Sequence, residues 1–106
     1  MEEAQLLKGI LEGCVLSIIS HGETYGYEIL SQLEQNGFEN LLEGTLYPLL
    51  TRLEKKKWIS CRREKSPFGP MRKYYTITSS GSETLQIFKK NYQKITAAAD
   101  NVLKKG

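Results

Sequence analysis

Between Leu6 and Ile19 the apolar positions Leu7, Ile10, Leu11, Cys14, Val15 and Ile18 recur at steps of three and four. That is the period of one helix face, so the segment is predicted to be a first amphipathic helix with a broad buried stripe. Gly9 and Gly13 lie one turn apart on it. Each costs up to about 1 kcal/mol of helix stability relative to Ala, and close approach by another backbone is the expected compensation. His21-Gly22-Glu23 ends the pattern. A second helix follows, with Thr24 as its expected cap, Tyr27, Ile29, Leu30 and Leu33 as its buried side, and Asn36-Gly37 as its stop. A third helix is expected to open near Thr45. Leu46, Leu49, Leu50 and Leu53 share one part of its circumference and must face a core, which leaves Thr45, Tyr47, Pro48, Thr51, Arg52 and Lys55 on the outward arc. Pro48 is tolerated close to the helix start, where few backbone bonds are lost.

Ile59 to Glu64 and Arg72 to Ile77 then alternate in part and are rich in β-formers, separated by Ser66-Pro67-Phe68-Gly69-Pro70. The pair reads as a hairpin with a long tip, Ile59, Cys61, Tyr75 and Ile77 facing inward. Trp58 reads as a core plug between the third helix and this hairpin. Thr78 is placed to cap a last helix running to about Leu103. On it Leu85, Phe88, Tyr92, Ile95, Ala99 and Val102 are spaced 3, 4, 3, 4 and 3, a heptad seam that wants a partner helix. Three helices followed directly by a hairpin make a winged helix-turn-helix, in which the third helix enters the major groove and the wing grips the flanking backbone. The expected fold is α+β, mainly α. Residues 1–78 would form a winged helix-turn-helix DNA-binding domain that includes an N-terminal helix. Residues 79–106 would form a long C-terminal dimerisation helix, the two making one compact unit.

Composition narrows the class without naming a partner. The chain has 106 residues, 12.1 kDa, 40% hydrophobic and 25% charged, which suits one globular domain. No apolar run approaches the roughly 18 residues of a membrane span, so no membrane role is expected. The acidic start Met-Glu-Glu-Ala-Gln is unlike a signal peptide, and two cysteines inside apolar patterns do not make a disulfide scaffold. A reduced, cytoplasmic protein is the expectation. The net charge of +3 hides a strong asymmetry: residues 1–50 hold one base against eight acids, net −7. Residues 51–73 hold nine bases against two acids, net +7, and residues 74–106 five against two, net +3. The basic band falls on the end of the third helix and on the hairpin, where a polyanion reader needs it.

The outward residues suit that role. Thr45, near a helix start, offers a hydroxyl and backbone N–H groups to a phosphate or base edge, and Glu43 beside it suits the positive end of the helix dipole. Tyr47 and Pro48 present a stiff surface to a thymine methyl or a sugar, with Thr51 on the same arc. Arg52 and Lys55 reach phosphates, and Arg52 can reach guanine. Thr24 and Tyr25, at the start of the second helix, face the backbone, while Lys65, Arg72 and Lys73 are the wing's grip. Tyr25 and Tyr47 have a second reading, as core residues with satisfied hydroxyls. Lys56 and Lys57 read as solvated, and His21 as structural or exposed. There is no paired-carboxylate spacing, metal-ligand cluster or phosphate loop, so no enzyme, metal or cofactor is expected.

Three ordered motifs spanning about residues 6–88 carry a resemblance to a known family. His21-Gly22-Glu23-Thr24-Tyr25-Gly26-Tyr27-Glu28-Ile29 resembles the Tyr-Gly-Tyr segment opening helix two of PadR-type transcriptional regulators. Glu43-Gly44-Thr45-Leu46-Tyr47-Pro48-Leu49-Leu50-Thr51-Arg52-Leu53-Glu54 resembles their recognition helix, and Gly69-Pro70-Met71-Arg72-Lys73-Tyr74-Tyr75-Thr76-Ile77-Thr78, then Gly81, their wing strand and the start of helix four. The resemblance implies a homodimeric repressor on a pseudo-palindromic operator, of the short form whose single C-terminal helix completes the dimer. The dimer interface would comprise Leu7, Ile10, Leu11, Leu85, Phe88, Tyr92, Ile95, Ala99 and Val102. Relatives respond to phenolics or drugs in a cavity between the dimer's N- and C-terminal helices, which makes Leu7, Ile10, Tyr92 and Ile95 candidate lining residues for a small aromatic effector, or else plain dimer core. Tyr92 stands near where some multidrug-binding relatives carry a stacking Trp. The rival reading is a winged-helix protein-interaction module whose basic face docks an acidic partner.

Overall fold

A computed structural model describes residues 3–41 and 43–105. The first predicted helix is broken in two: Glu3–Leu7 forms α1 and Ile10–Ile19 forms α2. Gly9 between them sits at φ +96°, a left-handed conformation that glycine enters without steric cost. A Cβ on Gly9 would meet open space, so its role is to break the helix rather than to admit a neighbour. Gly13 does the admitting: a Cβ there would fall inside the Phe88 ring.

Thr24 is not a helix cap. Thr24–Tyr25 forms a short strand, β1, pairing Thr24 with Tyr75 and Tyr25 with Tyr74. The second predicted helix is α3, Gly26–Gln35, whose N-cap is Tyr25 with no side-chain capping bond. Its buried face is Gly26, Ile29 and Leu33 with Leu30 half-buried, whereas Tyr27 is 70% exposed. Tyr27 precedes Ile29 by two residues, about 200° around the helix, which turns its ring outward. Gly37, at φ +111°, ends α3: its N–H donates to the Glu34 carbonyl and that of Phe38 to Leu33. These two bonds satisfy the last carbonyls of the helix.

Helix α4 spans Glu43–Lys55 and buries Leu46, Leu49, Leu50 and Leu53. Strands β2, Ile59–Glu64, and β3, Arg72–Ile77, pair antiparallel from Ile59↔Ile77 to Glu64↔Arg72, and β1 makes a third strand in the order β1-β3-β2. Thr78 caps α5, Ser79–Leu103: its Oγ1 accepts from the Gly81 N–H at 3.0 Å and donates to the Lys57 carbonyl at 2.7 Å. Gly81 runs so close to Trp58 that a Cβ would strike the Trp58 carbonyl. Trp58 is itself half-buried against the core, as a plug should be. The start of α5 is thereby fastened to the turn that joins α4 to β2.

One core joins Val15, Leu16 and Ile19 of α2, Ile29 and Leu33, the α4 leucines, Ile59, Tyr75 and Leu85. Leu11 and Leu85 are 6% and 3% exposed, so both are spent within the chain and neither is free to form an interface. Phe88 is half-buried against Gly13. Beyond Phe88 the seam is bare: Tyr92, Ile95, Ala99 and Val102 are all exposed on a helix of 25 residues. Among the described residues no helix is long and apolar enough to cross a membrane.

Candidate nucleic-acid interface

The core packing of the four α4 leucines forces its opposite face outward. Thr45, Tyr47, Pro48, Thr51, Arg52 and Lys55 are all exposed, along one side of the helix. The Thr51 hydroxyl donates to the Tyr47 carbonyl at 3.1 Å. Tyr47 is not a core residue, though it packs on one side. Its ring lies on Gly26 at the start of α3, where a Cβ would come within 2.7 Å of the Tyr47 hydroxyl oxygen, yet 43% of the residue stays open. Tyr25 is 39% exposed, with its ring edge-on to Tyr74 at 6.0 Å between centroids.

Tyr25, Gly26, Tyr27, Tyr47, Met71, Arg72 and Lys73 line a concavity of about 600 Å³ between the helices and the wing. Its floor carries Tyr75, whose hydroxyl is pushed up to about 12, chiefly by burial, and so stays protonated at neutral pH. Tyr27 and Met71 belong to this wall, although the helical pattern predicts Tyr27 in the core and no periodicity marks Met71. Their signal lay in the motifs themselves, one closing Tyr-Gly-Tyr and the other preceding Arg72-Lys73. Thr24 does not belong: it is 7% exposed, because its pairing with Tyr75 turns the side chain inward, where Oγ1 has no protein partner.

The basic band divides into committed and free charges. Arg62 donates to Glu23 and to Glu64, each at 2.8 Å, and lies over the Tyr74 ring. Its hydrogen bond holds the Glu23 carboxyl below the usual range, and the two carboxylates raise the guanidinium in turn. Arg52 and Lys56 both approach Glu12 of α2 at 3.7 Å, and Lys56 also lies over the Trp58 ring. Lys55, Lys65, Arg72 and Lys73 are exposed and make no ion pair among the described residues.

Neither concavity joins the candidate effector residues. Leu7 lines a second concavity of about 470 Å³ with Leu11, Leu41, Leu49 and Arg52, to which Tyr92 and Ile95 contribute nothing. Tyr92 instead stacks on Phe88, with ring centroids 5.9 Å apart.

A family model described as the transcriptional regulator PadR-like family matches residues 15–87, from α2 into α5. The chain belongs to the PadR-like family. Its match spans both walls of the 600 Å³ concavity, and the family's proteins are transcriptional regulators rather than enzymes. Among solved structures, a PadR-like transcriptional regulator from Bacillus cereus is 46% identical over 93% of this chain and 96% of that one, with a TM-score of 0.81. A Streptococcus transcriptional regulator is 42% identical over 92% and 96%, also at 0.81. PadR of Bacillus subtilis, solved in complex with operator DNA, is 27% identical over 74% of this PadR-like chain and 46% of its own length, with a TM-score of 0.68. The winged-helix arrangement and the C-terminal helix of the PadR-like chain thus follow those of its relatives.

Proposed function

We propose that this PadR-like regulator is a homodimeric repressor that binds a pseudo-palindromic DNA operator. The observation that carries the reading is the concavity that sets Tyr47 of α4 beside Arg72 and Lys73, free cations of the wing. The operator complex of Bacillus subtilis PadR supports it. In this reading Thr45, Tyr47, Pro48, Thr51 and Arg52 meet base edges in the major groove, and Tyr25, Lys55, Lys65, Arg72 and Lys73 meet the phosphate backbone. The bare part of the α5 seam, Tyr92, Ile95, Ala99 and Val102, meets a second copy together with Leu7 and Ile10. That pairing sets two α4 helices about 34 Å apart, one duplex turn. A small aromatic effector held between the N- and C-terminal helices of the dimer, against Leu7, Ile10, Tyr92 and Ile95, releases the operator. The protein works in the cytoplasm, where Cys14 and Cys61, both free, remain thiols.

Selection of bound duplexes from a random-sequence pool tests the reading, followed by gel shifts on the selected and scrambled sequences. Two inverted half-sites one turn apart are expected. Recovery of no shared sequence, with equal binding to scrambled duplexes, would overturn it.

A further inference from the structure

Phe68 stands at the tip of the wing with its ring 99% exposed. It is the middle residue of 65–71, the stretch beyond the last ladder pair, Glu64↔Arg72. Pro67 and Pro70 flank it, each fixing its own φ and removing a backbone donor, so the tip loses little backbone freedom when it is seated against a partner. The Phe68 N–H is tied back to the Ser66 hydroxyl oxygen at 3.4 Å. Among the described residues nothing covers the phenyl ring, so its burial free energy is open to a partner.

The surroundings of the ring identify that partner. Lys65 and Arg72 bracket the tip, Lys73 stands one residue behind, and Glu64 is already held by Arg62 at 2.8 Å. An apolar point inside a collar of cations complements an apolar slot between anionic walls. The DNA minor groove has that form: a slot about 6 Å wide, lined by phosphates. Phenylalanine is among the side chains that wedge between base steps there and kink the duplex. Arg72 and Lys73 also line the concavity that holds Tyr25 and Tyr47, so a duplex seated on α4 continues onto the wing.

We propose that Phe68 is a minor-groove wedge that partly unstacks one base step in each operator flank. The inference rests on the DNA-binding reading above. It adds sequence preference at a position where no side chain hydrogen-bonds to a base: pyrimidine–purine steps, the easiest to unstack, are favoured and stiff A-tracts are disfavoured.

The test uses a duplex recovered by the parent protein from the random pool, with 2-aminopurine placed at successive flanking positions, and circularly permuted fragments of the same site to report bending. The parent is expected to raise 2-aminopurine emission at one step per half-site and to give position-dependent mobility. Phe68→Ala should lose both signals and bind about tenfold more weakly, with its salt dependence unchanged because no charge is removed. Phe68→Leu, still an apolar wedge, should retain most of the affinity. An unchanged urea midpoint for Phe68→Ala excludes a folding cause. If the parent selects a duplex and Phe68→Ala unstacks, bends and binds it equally, the wedge is overturned and the tip is left to an acidic protein partner. If the parent selects no duplex, the DNA-binding reading fails and the wedge with it.

Discussion

The carboxylate of Glu12 on α2 lies 3.7 Å from Nε of Arg52 on α4, and Lys56 approaches the same carboxylate at 3.7 Å. One acid of the scaffold therefore restrains Arg52 of the proposed recognition helix and Lys56 just past its end. The Arg52 side chain is 53% exposed, so the pair contributes at most about 1 kcal/mol to stability. It competes with any phosphate or base that Arg52 would otherwise meet. Glu12→Gln should cost no more than about 1 kcal/mol of stability and tighten DNA binding by up to about fivefold at low salt, the equivalent of one such pair. Gel shifts at low and high salt check this; equal affinity for parent and variant at low salt would show that Arg52 is not held back.

Arg52 and Lys73 should separate when each is truncated. Arg52→Ala is expected to weaken operator binding by about 1–3 kcal/mol and to relax preference at one base position, if the guanidinium reads guanine. Lys73→Ala should weaken all duplexes alike and lower the salt slope by about one unit, because it removes a phosphate contact and no base contact. Binding titrations of both variants on operator and scrambled duplexes across a salt series distinguish the two. Insensitivity to both substitutions would remove the assignment of this face.

Two glycines give losses of different size from a shared cause. Replacing either by Ala gains up to about 1 kcal/mol of helix propensity. Overpacking costs about 1–3 kcal/mol and sometimes more. At Gly81 the obstruction is the Trp58 carbonyl, a backbone group that cannot swing aside, so Gly81→Ala should be clearly destabilised. At Gly13 the obstruction is the Phe88 ring, which can move, so Gly13→Ala should lose less, and Gly13→Ala combined with Phe88→Leu should recover most of the loss. Urea midpoints of the four proteins decide; an unaltered midpoint for Gly81→Ala would contradict the close packing of α5 on the Trp58 backbone.

How far these contacts could be read in advance depended on whether their cause was local. The leucines of α4 declare their face by spacing, and Thr78 declares a cap because its partner, the Gly81 N–H, lies three residues away. The hairpin was legible from its two β-rich runs and the prolines of its tip. Thr24 misled because its partner is Tyr75, far along the chain, and strand pairing outcompeted the cap that its residue type favours. Gly9 and Gly13 look alike in sequence. A backbone at φ +96° at one and a ring from α5 against the other are tertiary facts that no local pattern contains. The same holds for the α5 seam, regular throughout, whose first part is consumed by α2 while the remainder is left bare. Glu12 was legible as an acid on a helix, but not as the partner of Arg52 on α4 and of Lys56 just beyond it.

The Glu23–Arg62 pair has a pH signature. The hydrogen bond from Arg62 lowers the Glu23 carboxyl from its ordinary 4.5. A carboxylate with a depressed folded value adds stability that is present above the ordinary value and is lost as pH falls through the folded one. The pair is exposed, so the effect on global stability is small and the residue-specific titration is the informative measurement. In an NMR titration the Glu23 side chain should show a midpoint below 4.5, and Arg62→Gln should return it toward that value. A Glu23 midpoint that ignores Arg62→Gln would exclude the pair in solution.

Dimerisation through α5 needs a variant that spares the chain's own core. Phe88 is the obvious seam residue to alter, but it packs against Gly13 within the chain, so Phe88→Glu would confuse unfolding with dissociation. Ile95 is 65% exposed and lies past the last buried residue of α5, Leu85. A fully buried Ile contributes about 1.5–3 kcal/mol relative to an exposed one. If two copies meet symmetrically along Tyr92, Ile95, Ala99 and Val102, each substitution acts twice at the interface. Ile95→Glu also places two carboxylates in an apolar seam, a further cost unless they protonate. The parent should sediment as a dimer and Ile95→Glu as a monomer that retains its helical circular dichroism. The monomer should also bind a full operator more weakly than the parent, because its two half-sites are no longer engaged by linked recognition helices. A parent that sediments as a monomer, or an Ile95→Glu protein that remains dimeric, would rule out the bare seam as the interface.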